Sequence, residues 1–155
     1  MFKPTFYFLL FVFIIGLVSC KKSTIEKIGD SEWEITKYVV NGIASTAIIK
    51  ADPNYCNFYF DFPNTRKGQQ RSIFYPLKCN SENGNGIGSW GYISTNNEYL
   101  ALGFASNTEF PNIVLKDNKE HEWIITDKKI KRKSGYMHLS LNFNGNHYEM
   151  ELNKK

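Results

Sequence analysis

The sequence lacks the short motifs that identify the common enzyme mechanisms. It contains no nucleophile elbow, no glycine-rich phosphate loop and no metalloprotease motif, and its acidic residues are scattered rather than paired for acid–base catalysis. Its three cysteines include no Cys-x-x-Cys pair, which excludes the usual dithiol redox site. We therefore predict no catalytic residue, no cofactor and no metal site.

A strong charge bias and a second long apolar run are also missing. The chain has 19 basic and 15 acidic residues, a net charge of +4, and this excess is too small to predict a nucleic-acid partner. After residue 18 no apolar run approaches the roughly 20 residues that a membrane-spanning helix needs. The length of 155 residues suits one soluble domain behind its N-terminal segment.

That N-terminal segment is an apolar leader. One positive charge, Lys3, precedes residues 6–18, which carry no charge, and this arrangement is typical of a secretory signal. Residues 17–20, Leu-Val-Ser-Cys, resemble the lipobox of bacterial envelope lipoproteins. The resemblance implies that residues 1–19 are a lipoprotein signal peptide and that Cys20 becomes a lipidated N terminus.

The lipobox resemblance also implies a location. One acyl chain binds a bilayer only marginally, whereas two or three hold firmly, so we expect attachment to the membrane through an N-terminal lipid anchor. Lys21 and Lys22 follow the cysteine where retention and export signals tend to be acidic. By resemblance this favours the cell envelope, at the outer membrane facing the periplasm. Residues 20–31 are predicted to be the lipidated cysteine and a short polar tether.

Residues 32–155 are dominated by alternating runs rich in aromatic and β-branched residues, and the first of these runs places Trp33, Ile35 and Val39 on one side. About eight such runs are joined mainly by short turns, without a convincing amphipathic helix. We predict an all-β antiparallel meander that closes into a small barrel, because closure removes exposed edges. The alternative is a two-sheet β-sandwich. Residues 43–55 fit either a short helix or an irregular crossing.

The first predicted hairpin turns at Lys67-Gly68 and aligns two cysteines. Its predicted pairs are Phe62 with Ile73, Phe60 with Tyr75, Phe58 with Leu77, and Cys56 with Cys79. An even pair of cysteines in an oxidising compartment favours a disulfide between Cys56 and Cys79. The alternative is two free buried thiols, which behave as small apolar residues.

Two further hairpins follow. The second turns at Asn96-Asn97 and is predicted to pair Ile93 with Leu100 and Trp90 with Gly103. The third turns at Asn144-Gly145, the strongest short hairpin signal, and is predicted to pair Leu141 with Tyr148, Leu139 with Met150 and Met137 with Leu152. Its polar face carries His138, His147, Glu149 and Glu151, which we interpret as solvated cross-strand pairs rather than metal ligands.

Between the second and third hairpins lies a strand predicted over residues 122–126, with Trp123 and Ile125 on one face. A charged turn is predicted over residues 127–134. Within it, residues 128–133 form the densest basic cluster of the chain. Such a run is usually a solvated turn, and it can also contact lipid phosphate, an acidic glycan or an acidic partner.

Several of these segments together resemble a known family. The lipobox, the Trp-containing strand at residues 32–38, Asn41-Gly42 and residues 122–125 look like the lipocalin-like lipoproteins of bacterial envelopes, within the calycin group. The resemblance implies an eight-stranded barrel over residues 32–155. It also implies an interior that either binds small apolar molecules or is filled by side chains, and fold alone does not decide between the two.

These observations support two functional hypotheses. In the first, a small apolar ligand binds a barrel pocket lined by Phe58, Phe60, Phe62, Tyr75, Leu77, Leu102, Tyr148 and Met150. In the second, the barrel is solid and contacts another envelope protein as an accessory or inhibitor. Its contact surface would use the basic turn at residues 128–133 and exposed Tyr59, Trp90 and Tyr92.

Overall fold

A computed structural model gives the fold of the chain. It describes residues 23–62, 74–80, 82–111 and 114–155. The predicted signal peptide, Cys20 and the Lys67-Gly68 turn lie outside the described residues. In the part of the chain that the structure describes, no helix is long and apolar enough to cross a membrane.

The described chain forms two short helices and nine strands. The helices are α1 (Thr24–Ile28) and α2 (Thr46–Ala51). The strands are β1 (Ser31–Val40), β2 (Ile43–Ala44), β3 (Phe58–Phe60), β4 (Tyr75–Cys79), β5 (Gly86–Ser94), β6 (Glu98–Phe104), β7 (Glu120–Ile130), β8 (Gly135–Phe143) and β9 (Asn146–Lys154). The prediction of an all-β chain is therefore confirmed, and α2 resolves the open alternative for residues 43–55.

Eight of these strands close into an antiparallel barrel, with β2 as one extra strand. The order is β2-β1-β3-β4-β5-β6-β7-β8-β9, and β1 pairs again with β9, from Trp33 opposite Lys154 to Val40 opposite Tyr148. This closure excludes the two-sheet sandwich, and the barrel is compatible with a lipocalin-like fold. Trp33, Trp90 and Trp123 lie fully buried inside it.

The two ends of the barrel are built differently. At the end where β1 begins, here called the α1 end, lie α1, the β5–β6 turn at residues 95–97 and the β7–β8 turn at residues 131–134. At the opposite end, here called the far end, lie residues 80–85, the connection over residues 105–119 and the Asn144-Gly145 turn. The described part of the connection buries Val114.

Helix α1 is fixed to the barrel. Ser23 caps it with a reciprocal capping box to Glu26, and Ile28 at its last position is fully buried. The indole Nε1 of Trp33 donates to the carbonyl oxygen of Ile28 at 3.1 Å. Much of the segment expected to be a tether is thus helix and packed turn.

The first hairpin has a different register from the predicted one. Phe58 lies opposite Cys79 and Phe60 opposite Leu77, two residues away from the predicted pairs. Because side chains alternate with a period of two, this shift keeps the paired apolar residues of β3 and β4 on their predicted face. In this register Cys79 lies opposite Phe58, so Cys56, two residues before Phe58, bonds to Cys79 diagonally across the two strands.

The second hairpin differs from its prediction by one residue. Trp90 lies opposite Leu102 and Tyr92 opposite Leu100, since Ser94 and Glu98 flank a turn of three residues rather than two. A shift of one residue moves the side chains of β5 to the opposite face relative to those of β6. The predicted pairing of Trp90 with Gly103 is therefore wrong.

The third hairpin has its predicted register throughout, on both faces. Strands β1 and β7, which were predicted as regular alternations of side chains between two faces, each contain a β-bulge. A bulge after Ile35 turns Tyr38 inward and puts Val39 on the same face as Glu149, so the predicted placement of Val39 on one side with Trp33 and Ile35 is wrong. Strand β7 has a bulge after Ile125 and continues to Ile130, into the region predicted to be a turn.

Candidate functional site

The eight residues predicted to line a ligand pocket lie together in the barrel interior. Seven of them are buried, namely Phe58, Phe60, Tyr75, Leu77, Leu102, Tyr148 and Met150, and Phe62 is half-buried. Their rings contact other rings at close range. The ring centroids are 5.1 Å apart for Phe60 and Trp90, and 4.8 Å apart for Phe62 and Tyr75. Edge-to-face packing at such distances fills the space between the walls with side chains.

Trp90 is part of this packing and not of the outer surface. It is fully buried, and its indole Nε1 donates to the carbonyl oxygen of Asp61 at 3.0 Å. The prediction of an exposed Trp90 is therefore wrong, because the one-residue shift of the second hairpin turns this side chain inward. The other two predicted surface aromatics, Tyr59 and Tyr92, are half-buried.

A groove of about 560 Å³ lies at the far end. Its floor includes the ring of Phe110, whose centroid is 5.4 Å from that of Phe58 and 6.4 Å from that of Tyr55. Polar side chains surround these rings, namely Asn54, Asn80, Asn85, Asn107 and Thr108. The groove thus combines aromatic surface with amide donors and acceptors and suits a small polar-aromatic or sugar-like ligand better than a long apolar one.

The predicted disulfide is present at the edge of this groove. Cys56 and Cys79 are bonded, with a Cα–Cα distance of 5.5 Å, in the range typical of disulfides. Strand β3 pairs with β1 over only three residues, so the barrel wall is short at this point. The disulfide holds the chain leaving α2 against the end of β4 and reinforces that wall.

At the α1 end, a polar cluster lies inside the rim of the barrel. The ammonium group of Lys128 donates to the carboxylate of Glu98 and to the hydroxyl of Tyr92, 3.2 Å away. Hydrogen bonds from Lys128 and Tyr92 hold the pKa of the Glu98 carboxyl below its usual value. Burial opposes the charged form of Lys128, but the hydrogen bonds to Glu98 and Tyr92 outweigh it and raise the Lys128 pKa. Lys128 is therefore not part of the solvated basic turn in which the sequence placed it.

The rest of the basic cluster is exposed at this end. Lys129, Lys131, Arg132 and Lys133 are exposed to solvent in or beside the β7–β8 turn. A groove of about 640 Å³ brings this turn together with Lys154 and Lys155 and the start of β1. Asp30, Glu32 and Glu82 line the same groove.

The polar face of the last hairpin forms cross-strand pairs, as the sequence predicts. His138 Nε2 lies 3.3 Å from Glu151, and His147 Nδ1 lies 2.7 Å from Asn142 Oδ1 on the neighbouring strand. Lys37 from β1 forms an ion pair with Glu149 at 2.8 Å, and this bond holds the Glu149 pKa below its usual value. Among the described residues, no group of three or more His, Cys, Asp or Glu side chains is placed to hold a metal ion.

Sequence reasoning missed one contact at the far end, between a buried histidine and an exposed carboxylate. His121 is buried beside the ring of Phe143, and its Nε2 lies 2.9 Å from the nearer carboxylate oxygen of Asp117. Burial opposes the charged form of Asp117, but the hydrogen bond from His121 outweighs this and lowers its pKa. Asp117 lies in an irregular connection, four positions before His121 on β7, so no periodic pattern signals their contact.

Comparisons with protein-family models, with curated proteins and with solved structures found no match to this chain.

Proposed function

We propose that the chain is a lipid-anchored envelope protein with a solid barrel, which contacts another envelope protein through its outer surface. The packed interior carries this proposal. The residues that would line a ligand pocket are buried against one another and against the core tryptophans. An eight-stranded barrel is only just wide enough for its own side chains, so bulky inward rings leave little space for an apolar ligand.

The outer surface offers an apolar contact region. Ile43 on β2 and Ile48 on α2 are 69% and 62% exposed and lie five positions apart on adjacent elements. Ala44 and Ala47 beside them are exposed as well. Exposed apolar side chains grouped in this way are typical of a protein–protein contact.

The anchor at Cys20 is supported by the lipobox-like sequence at residues 17–20. It is tested by replacing Cys20 with Ser in the full-length chain expressed in a bacterium. We expect the wild type in the membrane fraction, with the mass of two or three acyl chains on Cys20. The Cys20→Ser variant is expected to lack that mass and to leave the membrane fraction. Equal membrane retention of the two proteins would contradict the anchor.

The solid interior is tested with a benzene-sized apolar probe. We expect no saturable binding to the wild type. A Leu102→Ala variant serves as the positive control, because removing a fully buried leucine leaves an apolar cavity that can accept such a probe. Stoichiometric binding of the probe to the wild-type interior would contradict the proposal.

The protein contact is tested by placing a photo-crosslinking amino acid at Ala47, next to the exposed isoleucines. We expect one dominant crosslinked protein from the native envelope. The control position is Lys119, which is exposed on a different connection. Crosslinking at Ala47 should be lost when Ile43 and Ile48 are both replaced by Lys. Crosslinks that persist in this double variant would show that the two isoleucines are not the contact.

The far-end groove favours a second candidate function, binding of a small polar-aromatic or sugar-like ligand. This candidate is supported by the placement of Tyr55 and Phe110 between asparagine side chains, next to the ring of Phe58. Native mass spectrometry of the protein purified from its own envelope tests this candidate. A bound small molecule that is lost in a Tyr55→Ala variant would favour it over the protein contact.

A further inference from the structure

The structure fixes where the N-terminal anchor would leave the barrel. Ser23, the N-cap of α1, is three residues after Cys20, and three extended residues reach about 11 Å at most. Helix α1 is held to the barrel at its last turn. The Lys154 ammonium donates to the carbonyl oxygen of Lys27 at 2.6 Å, and Ile28 is fully buried. A lipid on Cys20 would therefore keep the α1 end of the barrel close to the membrane surface.

The same end carries the densest positive charge of the described chain. Residues 129–133 contain four basic side chains and no acidic one, and all four are exposed. Strand β7 pairs with β8 as far as Ile130, opposite Gly135, so the turn that follows extends past the rim of the barrel. The α1 helix lies against this same strand.

Two of the three acidic groups of the groove, Asp30 and Glu32, accept hydrogen bonds from other residues. In the groove that joins the turn to the start of β1, the Asp30 carboxylate accepts from the backbone N–H of Phe62 at 3.0 Å. The Glu32 carboxylate accepts from the side-chain amide of Asn57 at 2.6 Å. Glu82 is exposed in the loop at residues 80–85. Glu82 can compensate at most one of the four basic charges of the turn, so the turn keeps an excess of positive charge for an external anion.

We infer that the basic side chains of residues 129–133 rest on the anionic headgroups of the membrane that holds the anchor, so that the α1 end faces the lipid and the far end points away. This inference rests on the proposed anchor at Cys20. Basic side chains near an anionic bilayer attract its phosphate groups over about one Debye length, which is about 8 Å at physiological salt. The anchor holds the α1 end, which carries the turn, on the side of the bilayer, and it leaves Ile43, Ile48 and the far-end groove pointing away from it.

The experiment uses the mature, lipidated protein reconstituted into vesicles. Single cysteines for a fluorescent label replace Ser134, in the basic turn, or Asn107, which is exposed in the connection at the far end. The native cysteines are occupied by the disulfide and the lipid, so only the added thiol reacts. The vesicles contain phosphatidylethanolamine and phosphatidylglycerol, with a fraction of the lipids carrying a headgroup quencher. Vesicles of phosphatidylcholine with the same quencher give the uncharged reference.

We expect the label at residue 134 to be quenched at least threefold more than the label at residue 107 in the anionic vesicles. The difference should fall to near parity in about 0.5 M salt, where the Debye length is only a few ångströms. It should fall in the same way when Lys131, Arg132 and Lys133 are all replaced by Gln. A control variant with Lys37, Lys50 and Lys119 replaced by Gln removes the same charge from elsewhere and should keep the difference.

The possible failures are distinguishable. A purified product without acyl mass would overturn the anchor, and the inference with it. A lipidated product with equal quenching at both labels would overturn the inference alone and leave the anchor standing. A difference that survives both salt and the triple replacement would also overturn it, because the orientation would then not depend on the basic turn.

Discussion

The ammonium group of Lys154 lies 5.7 Å from the ring centroid of Trp33, so the last strand of the barrel meets the first through a cation and an aromatic face. The same ammonium donates to the carbonyl oxygen of Lys27. This side chain of β9 thereby contacts both β1 and the end of α1. The barrel is closed here by backbone pairing between Trp33 and Lys154 and sealed by this contact.

Replacing Lys154 with Met should weaken this closure. The variant keeps the apolar stem but loses the cation over the ring and the hydrogen bond to Lys27. We expect a loss of about 1 kcal/mol in the free energy of unfolding, measured by urea titration. Lys133→Met, an exposed position of the same end, should stay within about 0.5 kcal/mol of the wild type. Equal effects of the two substitutions would contradict a specific role for Lys154.

Removing the disulfide should destabilise the short side of the barrel. The bond joins residues 23 positions apart, and the chain-entropy model gives about 3 kcal/mol for a loop of this size. We expect the double variant Cys56→Ala, Cys79→Ala to lose about that much free energy of unfolding. Adding reductant should shift the unfolding midpoint of the wild type and leave that of the double variant unchanged. A wild-type midpoint that ignores reductant would argue that the bond contributes little.

The Asn144-Gly145 turn should not tolerate a side chain at its second position. Gly145 has φ +77°, where an L side chain is strained, and we expect Gly145→Ala to cost about 1 kcal/mol of unfolding free energy. Gly86→Ala is a matched control, since no atom lies within 4 Å of a Cβ built there and its φ is outside the left-handed range. Its effect should stay within about 0.5 kcal/mol. Thermal unfolding of the two variants side by side measures the difference.

The Glu98–Lys128 ion pair should stabilise the folded protein at neutral pH, and this contribution to the free energy of unfolding should be lost in acid. The Glu98 pKa is lower in the folded protein than its ordinary value of 4.5, so this contribution is complete above about pH 4.5 and is lost as the pH falls through the lowered pKa. Since 39% of the Glu98 side chain is exposed, solvent screening limits the gain to about 1 kcal/mol or less.

Glu98→Gln should accordingly be less stable than the wild type at neutral pH and equal to it in acid. Urea titrations at about pH 7 and about pH 3 measure the two differences. Glu122→Gln, at an exposed position of β7, is the control and should show no such convergence. A Glu98→Gln difference that is the same at both pH values would contradict the assignment of the lowered pKa to folding.

The sequence predicted the third hairpin completely and the other two in part. Asn144-Gly145 specifies a two-residue turn by local chemistry, so the register of both strands follows from it. The turn after Ser94 has three residues with no comparable signal, and the error of one residue reversed the faces of Trp90 and Tyr92. The first hairpin was wrong by two residues, which left its faces correct.

The contacts of the candidate sites were likewise predicted only in part. The cysteine pair was predicted because two cysteines in one hairpin have few other partners. The inward turn of Lys128 was missed because its partner, Glu98, lies 30 positions away on another strand. The contact of His121 with Asp117 depends on an irregular connection that no periodicity describes.

The sequence by itself determined the local features: the alternation that makes strands, the Asn-Gly turn, the basic run at residues 128–133 and the lipobox-like segment before the domain. These depend on neighbours a few residues apart, so they can be read from the chain in order. Only the tertiary structure decided that the interior is packed with rings, and that α1 and the basic turn share one end while the exposed isoleucines lie elsewhere. Those relationships arise when β1 pairs with β9, because the closure of the barrel brings together residues separated by more than a hundred positions.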